Sequence, residues 1–320
     1  MAGLDLSMQA LTVIMLSLNM QNCMSFKKIK TNFSVFIAKG FVKLPLIFIL
    51  SGGRFLGWLA WILPNKRKKI ATRNISLCFP KLSTNEQKSL LKRNLISTGQ
   101  GFSETLLAYW GSDKKCLKYF SIQGLEIIEN ALNQNKGCIL LGCHLHLLEL
   151  ASRVINLKLI NKAHLLVRQH NNKVFEHHVD SARRSYCEKT IDKKDMREVL
   201  KSLKSNHPVF YIPDQNFSYQ CVYVDFFNQP AATVIAPARI AQSTKTPIIP
   251  WFAFRKSNKV WEIEIQPPLE FFQSEEKELS LKKMNLLFET QISRYPEQYL
   301  WVHRRFKNHP LGKNHLYKGI

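Results

Sequence analysis

The chain has 320 residues, 45 % of them hydrophobic, so it can bury one large core or two smaller ones. Lys and Arg number 46 against 23 Asp and Glu, and the net charge of +23 points to an acidic partner: nucleic acid, an anionic membrane surface or an acidic protein. The 7 cysteines are odd in number, scattered and without a CxxC pair, which excludes a disulfide framework and a structural zinc site and suits a cytosol-facing protein.

Residues 6–26 carry no charge but are rich in Ser, Gln and Asn, and they lack the basic leader of a signal peptide. We take residues 1–40 as an extension of unassigned role. Residues 41–63 form a hydrophobic run long enough to span a bilayer, which takes about 20 residues. Arg54 interrupts it, and an arginine at mid-bilayer costs about 2.5–3.5 kcal/mol. The run either spans obliquely or lies in the interface as a membrane-anchoring helix; Trp58 and Trp61 suit both. Lys66, Arg67, Lys68 and Lys69 follow, a cluster of the kind that marks a cytoplasmic face and attracts anionic lipid, but Lys27, Lys28 and Lys30 upstream leave the orientation open.

Ser83 and Glu86 make a capping-box pattern, opening a helix towards Trp110 that Gly101 could bend. Leu125–Leu132 predicts another helix, stopped near Gly137. Beyond it, strands expected at Cys138–Cys143, His164–Val167, Pro208–Ile212, Thr246–Phe254 and Val260–Ile265 alternate with helices at Leu147–Ile155, Val174–Tyr186, Asp195–Ser205, Thr233–Gln242 and Leu279–Arg294. Such alternation predicts an α/β fold: a mainly parallel central sheet flanked by helices, here over residues 64–320.

Three strand ends carry chemistry. His144 follows the first, Arg168 the second and Asp214 the third, and in a parallel sheet such ends share one edge. Glu149 follows His144 by five positions inside a leucine run, where a carboxylate needs a partner; a nearby imidazole would be one. Plainer readings exist for each: a core histidine, a helix-surface acid, a surface arginine, and a turn or N-cap aspartate after Pro213. Cys143 reads as a small buried thiol. The alternating pair His144 and His146, with Asp214, lacks further ligands at metal spacing, and we assign no metal. No GxSxG elbow, P-loop or GxGxxG occurs, so serine hydrolase, NTPase and dinucleotide readings have no support. In the run from Pro296 to Lys307, aromatics interleave with Arg304, Arg305 and Lys307; that pattern could bind nucleic acid or hold the phosphates and carboxylates of an anionic lipid. No nucleic-acid-binding motif accompanies it.

Together these residues resemble the late acyltransferases of lipid A biosynthesis in Gram-negative bacteria. The resemblance runs from about Phe41 to Gly312. It rests on Asn74 to Pro80, Glu104 to Trp110, His144 with Glu149, Asn171 to Lys173 with Arg183, Asp214, Ala231 to Thr233, and above all Pro296 to Lys307. His303-Arg304-Arg305-Phe306-Lys307 favours the lauroyl branch, whereas Val224 to Phe227 is closer to the myristoyl branch. Asn216, Phe217 and Ser218 depart from the family pattern after Asp214.

The resemblance implies transfer of a fatty acyl group, lauroyl by preference, from acyl carrier protein to a hydroxyl of a Kdo-bearing lipid A precursor. It implies catalysis by His144 as general base, with Glu149 fixing its tautomer, and no cofactor. Arg183 would serve the developing oxyanion or a substrate phosphate, and Asp214 would orient Arg183 or a loop; Arg168, Arg304 and Arg305 would support substrate binding. It places the enzyme at the Gram-negative inner membrane, its catalytic part cytoplasmic, against anionic inner-membrane lipid and not nucleic acid. The rivals are a glycerolipid or lysophospholipid acyltransferase and a non-catalytic basic protein binding membrane or nucleic acid.

Overall fold

The computed structural model describes residues 28–256 and 260–320. The uncharged stretch 6–26, with Cys23, lies outside the described residues. The chain begins with α1 (residues 28–41) and α2 (Leu46–Ile62), then α3 (Lys66–Cys78), whose N-cap Asn65 accepts from the Lys68 amide. The helix α4 (Thr84–Trp110) opens on the expected capping box: Glu86 N donates to Ser83 Oγ at 3.3 Å and Ser83 N donates to Glu86 Oε2 at 2.7 Å. Gly101 does not interrupt it. A Cβ there would meet the His146 Cβ at 2.8 Å, so this glycine admits a close neighbour.

Then come α5 (Asp113–Leu117), β1 (Phe120–Gln123), α6 (Leu125–Leu132), β2 (Cys138–Leu141), α7 (Leu148–Lys158), β3 (His164–Val167), α8 (Lys173–Arg184), β4 (Lys189–Asp192), α9 (Met196–Lys204) and β5 (Pro208–Tyr211). A hairpin of β6 (Cys221–Phe226) and β7 (Gln229–Val234) precedes α10 (Ala236–Thr244), β8 (Ile248–Arg255), β9 (Trp261–Ile265), α11 (Phe271–Ser274) and α12 (Lys277–Arg294). The seven-stranded sheet has the order β1-β9-β8-β2-β5-β3-β4 and is parallel except for β8 against β9.

β2 lies at the centre with all four side chains buried, as a continuous apolar run in a doubly covered sheet requires. Its alternate residues face opposite cores. Ile139 and Leu141 join Val199, Ile240 and Met284 of α9, α10 and α12; Cys138 and Leu140 join Ile49, Ile128 and Val154 of α2, α6 and α7. Helices therefore cover both faces.

Three features differ from the sequence expectation. β1 and β4 are edge strands with half-exposed side chains, and they lack the apolar run that reveals a central strand. The helix expected from Thr233 begins at Ala236, because Thr233 and Val234 pair with Val222 and Cys221 in the hairpin. The hairpin turns at Phe227 and Asn228, both at positive φ (50° and 57°), without the Gly that would announce such a turn.

The hydrophobic run 41–63 resolves into the end of α1, a turn and α2. Among the described residues no single helix is long and apolar enough to cross a membrane; α2 and α3 together would be, but they bend by 83° at their break. One face of α2 packs on α4 through glycines. A Cβ on Gly57 would lie 2.3 Å from the Leu95 carbonyl oxygen, and one on Gly99 would lie 2.3 Å from the Gly53 carbonyl oxygen. Arg54 donates from Nε to Gln100 Oε1 at 2.8 Å, so its guanidinium is held by α4. The opposite face leaves Phe48, Phe55, Trp58 and Ile62 exposed.

Candidate active site

β2 and β5 are hydrogen-bonded neighbours, so the segments leaving their carboxyl ends deliver His144 and Asp214 side by side. His144 Nδ1 lies 2.5 Å from Asp214 Oδ1, and the His144 amide donates to Asp214 Oδ2 at 2.9 Å. The Tyr299 hydroxyl donates to that same Oδ2 at 2.9 Å. Asp214 is 1 % exposed, whereas the His144 side chain keeps 25 % of its surface open. Burial pushes the Asp214 carboxyl up, but the adjacent imidazole charge and the hydrogen bonds from His144 and Tyr299 outweigh it and hold the group below the usual carboxylate range. On the other side of the ring, Gln215 Nε2 donates to His144 Nε2 at 2.9 Å. Those two partners together select the tautomer with its proton on Nδ1 and its lone pair on Nε2.

The C-terminal run laces this loop in place. The His146 amide donates to the Gln298 carbonyl at 2.8 Å, and the Leu300 amide donates to the His144 carbonyl at 3.1 Å. Arg305, 2 % exposed, donates from Nη1 to the carbonyls of Ala232 (2.8 Å) and Gln215 (3.4 Å) and from Nη2 to Thr233 Oγ1 (2.8 Å). It thereby ties the Gln215 backbone to the hairpin.

Glu149 has a different partner from the one expected. Its Oε1 and Oε2 accept from Arg183 Nε and Nη2, both at 2.8 Å, and Oε1 also accepts from the Tyr186 hydroxyl at 3.0 Å. Arg183 Nη2 also donates to the Tyr109 hydroxyl at 3.1 Å. The reason is positional: Glu149 sits in the first turn of α7 and is met by Arg183 from the last turn of α8, while His144 Nδ1 faces Asp214 in the segment after β5. Burial pushes the Glu149 carboxyl up, and the Arg183 charge and hydrogen bonds overcome it, leaving it below the usual range. The same pairing carries the Arg183 guanidinium above its ordinary value against its own burial.

His144, Glu149 and Arg183 line one cavity of 820 Å³, a size suited to a substantial ligand. Arg67, Arg168 and Gln215 add polar groups to its wall. Leu165, Phe210, Ile212 and Trp251 give it an apolar side, with the Trp251 indole donating to the Leu140 carbonyl at 3.3 Å. His303 also lines it and accepts from the Asn216 amide; burial, then the nearby His144 charge, pushes its pKa down to about 4.

Of the residues expected from sequence, His144, Glu149, Arg183 and Arg168 thus meet at this cavity, and Asp214 sits directly behind His144. Asp214 orients the catalytic-candidate imidazole, not Arg183. Arg304 is elsewhere: it bonds Asn314 and the Ile320 oxygen and stacks over Tyr317, tying down the C-terminal tail. Arg305 acts from behind the cavity wall. His146, the other half of the histidine pair, lies under α4 with its ring nitrogens 2.7 Å from Ser97 Oγ and 3.2 Å from Thr98 Oγ1. Cys143 is buried, and burial pushes its thiol well up, as an inert filler requires. Sequence reasoning missed Tyr299, Gln215, Tyr109 and Tyr186. Tyr299 lay in the most specific run but carried no charge to single it out.

Comparison with known proteins supplies an independent line. A family model described as bacterial lipid A biosynthesis acyltransferase matches residues 22–308, beginning upstream of Phe41. The chain is 30 % identical over 279 residues to the lipid A biosynthesis palmitoleoyltransferase of Escherichia coli (strain K12), covering 86 % of this chain and 90 % of that one. It is 30 % identical over 274 residues to the lipid A biosynthesis lauroyltransferase of the same organism (85 % and 89 %). It is 24 % identical over 270 residues to the lipid A biosynthesis myristoyltransferase (83 % and 82 %).

Proposed function

Because the chain belongs to the bacterial lipid A biosynthesis acyltransferases, we propose that His144 is the general base that moves a fatty acyl group from a carrier-protein thioester to a hydroxyl of a Kdo-bearing lipid A precursor. The observation that carries this reading is the His144–Asp214 pair at the rim of the 820 Å³ cavity. A hydroxyl becomes a competent nucleophile when a base takes its proton as it attacks. With Nδ1–H held by Asp214, the lone pair on Nε2 is the base, and the acceptor hydroxyl takes the place of the Gln215 amide. The hydroxyl oxygen attacks the thioester carbonyl, its proton passes to Nε2, the C–S bond breaks, and the imidazolium returns the proton to the departing thiolate. Asp214 stabilises the imidazolium while it exists, so the carboxylate of the dyad is Asp214 rather than Glu149.

Glu149 holds Arg183 with two parallel hydrogen bonds, and Arg183 presents its charge to the cavity for the developing oxyanion or a substrate phosphate. Leu165, Phe210, Ile212 and Trp251 line the part that suits an acyl chain, with lauroyl the first length to try. The exposed face of α2, with that of α1, lies in the cytoplasmic interface of the inner membrane, and Lys66, Arg67, Lys68 and Lys69 meet anionic headgroups there.

The test is transfer of labelled lauroyl, palmitoleoyl and myristoyl groups from acyl carrier protein to Kdo-bearing lipid A precursor, by wild type and His144→Ala. Transfer that the variant loses supports the reading, and the best chain identifies the branch. Wild type that transfers none of the three chains, while folded and membrane-bound, overturns it.

A further inference from the structure

A second cavity of 760 Å³ adjoins the first and has no part in the reading above. Lys193, Tyr211 and Phe217 line both, so they form the partition between them. Lys193 Nζ stands 5.8 Å over the Phe217 ring, and Tyr219 packs edge-on to that ring from the second cavity.

The rim of this second cavity is strongly cationic. Lys194 and Arg197 come from the start of α9, Arg239 from α10 and Lys277 from the start of α12, and all four are exposed. None of them makes a salt bridge among the described residues. Other surface cations of this chain do find carboxylates, as Arg184 does with Asp180 and Lys283 with Glu275. The one acid in the lining, Asp195, accepts from the Glu198 amide as the N-cap of α9. Below the rim the lining turns apolar, with Met196, Leu200, Val234 and Ile240. The cavity is therefore cationic at its mouth, apolar in its throat and aromatic at the partition it shares with the cavity of His144.

That sequence of chemistries suits an elongated, otherwise uncharged arm with a phosphate at one end and a thioester at the other. We propose that the second cavity binds the phosphate-bearing pantetheine arm of the acyl donor. The phosphate rests on Arg197, Arg239 and Lys277, and the arm passes over Phe217 to bring the thioester carbonyl to His144. The inference rests on the thioester-donor reading of the active site. It gives donor and acceptor separate entrances, so the acceptor's own phosphates do not compete at the donor mouth.

The test uses the full-length enzyme and the double variant Arg239→Glu/Lys277→Glu, with lauroyl-acyl carrier protein as donor and free 4′-phosphopantetheine as competitor. Both positions are exposed, and a thermal melt checks the fold; Arg197→Glu is the second variant. At low salt we expect the donor KM to rise about tenfold with kcat and acceptor KM retained, and the difference to shrink as salt is added. Phosphopantetheine should compete with the donor in wild type and about tenfold more weakly in the variant. An unchanged donor KM overturns the proposal, as does a rise in acceptor KM instead. A donor effect without any change in phosphopantetheine inhibition also overturns it, by placing the contact on the carrier's acidic body. Wild type that transfers no acyl group from the carrier sinks the active-site reading first and this inference with it.

Discussion

At the scale of single residues, the two carboxylates of the site pair otherwise than expected: Asp214 meets His144, and Glu149 meets Arg183. Five positions separate His144 from Glu149, but those positions straddle a turn into α7, and the ring is met instead by a residue 70 positions away. The pairing makes the two acids separable by experiment. Asp214→Asn keeps the shape but removes the charge that steadies an imidazolium, and should lower kcat by roughly 10³–10⁴-fold with little change in KM. Glu149→Gln leaves Arg183 largely buried without its carboxylate and should cost about 3 kcal/mol, read as a lowered urea midpoint, besides its effect on rate. A variant pair behaving the other way round would return the dyad to Glu149. His303 adds a pH dependence. Its folded pKa is about 4 and an unfolded imidazole titrates near 6.5, so the unfolded chain binds more protons between those values. Its contribution to stability is complete above that window and is lost as pH falls through it. The urea midpoint should therefore decline from pH 7 to pH 4, and less steeply in His303→Gln.

At the scale of elements, the central strands were legible because burial on both faces leaves a continuous apolar run, as in Cys138–Leu141. The edge strands β1 and β4 were not, since one side of each meets solvent and their residues are mixed. The long helix α4 announced its start through Ser83 and Glu86. What the linear pattern hid was why α2 contains glycines. Gly53 and Gly57 let α2 approach α4 backbone to backbone, and the atoms a Cβ on Gly57 would meet are all α4 backbone, which cannot rotate away. Gly57→Val should destabilise the protein by about 2–3 kcal/mol, measured by chemical denaturation. The same change at Gly40, which has nothing within 4 Å of a Cβ, should cost far less.

At the scale of the whole molecule, a charge of +23 and a row of exposed apolar side chains act together. α2 has 17 residues, about 25 Å of helix, short of the roughly 30 Å hydrocarbon layer, and it is fastened to α4 along one side. The proposed interfacial role assigns its other side to the membrane surface. The triple variant Phe48→Ser/Phe55→Ser/Trp58→Ser should partition at least tenfold less onto vesicles containing anionic lipid. Added salt should weaken binding of wild type as well, through the basic residues. Binding unaffected by either change would remove the interfacial role of this face.

The sequence alone determined the class of fold and the cationic character, and it offered His144, Arg168 and Asp214 as candidate groups at strand ends. Those follow from periodicity, composition and local turn patterns, which neighbouring residues set among themselves. Only the tertiary structure decided which group faces which. The register of β2 against β5 brings Asp214 to His144, the meeting of α7 and α8 gives Glu149 to Arg183, and the C-terminal run supplies Tyr299 from a distance of 85 residues. Arg304 and Arg305, adjacent in sequence, diverge for the same reason: one is spent on the chain terminus and the other on the loop behind His144. Hydrogen bonds act over about 3 Å, and a chain pattern carries no information on which distant atoms folding brings within that range.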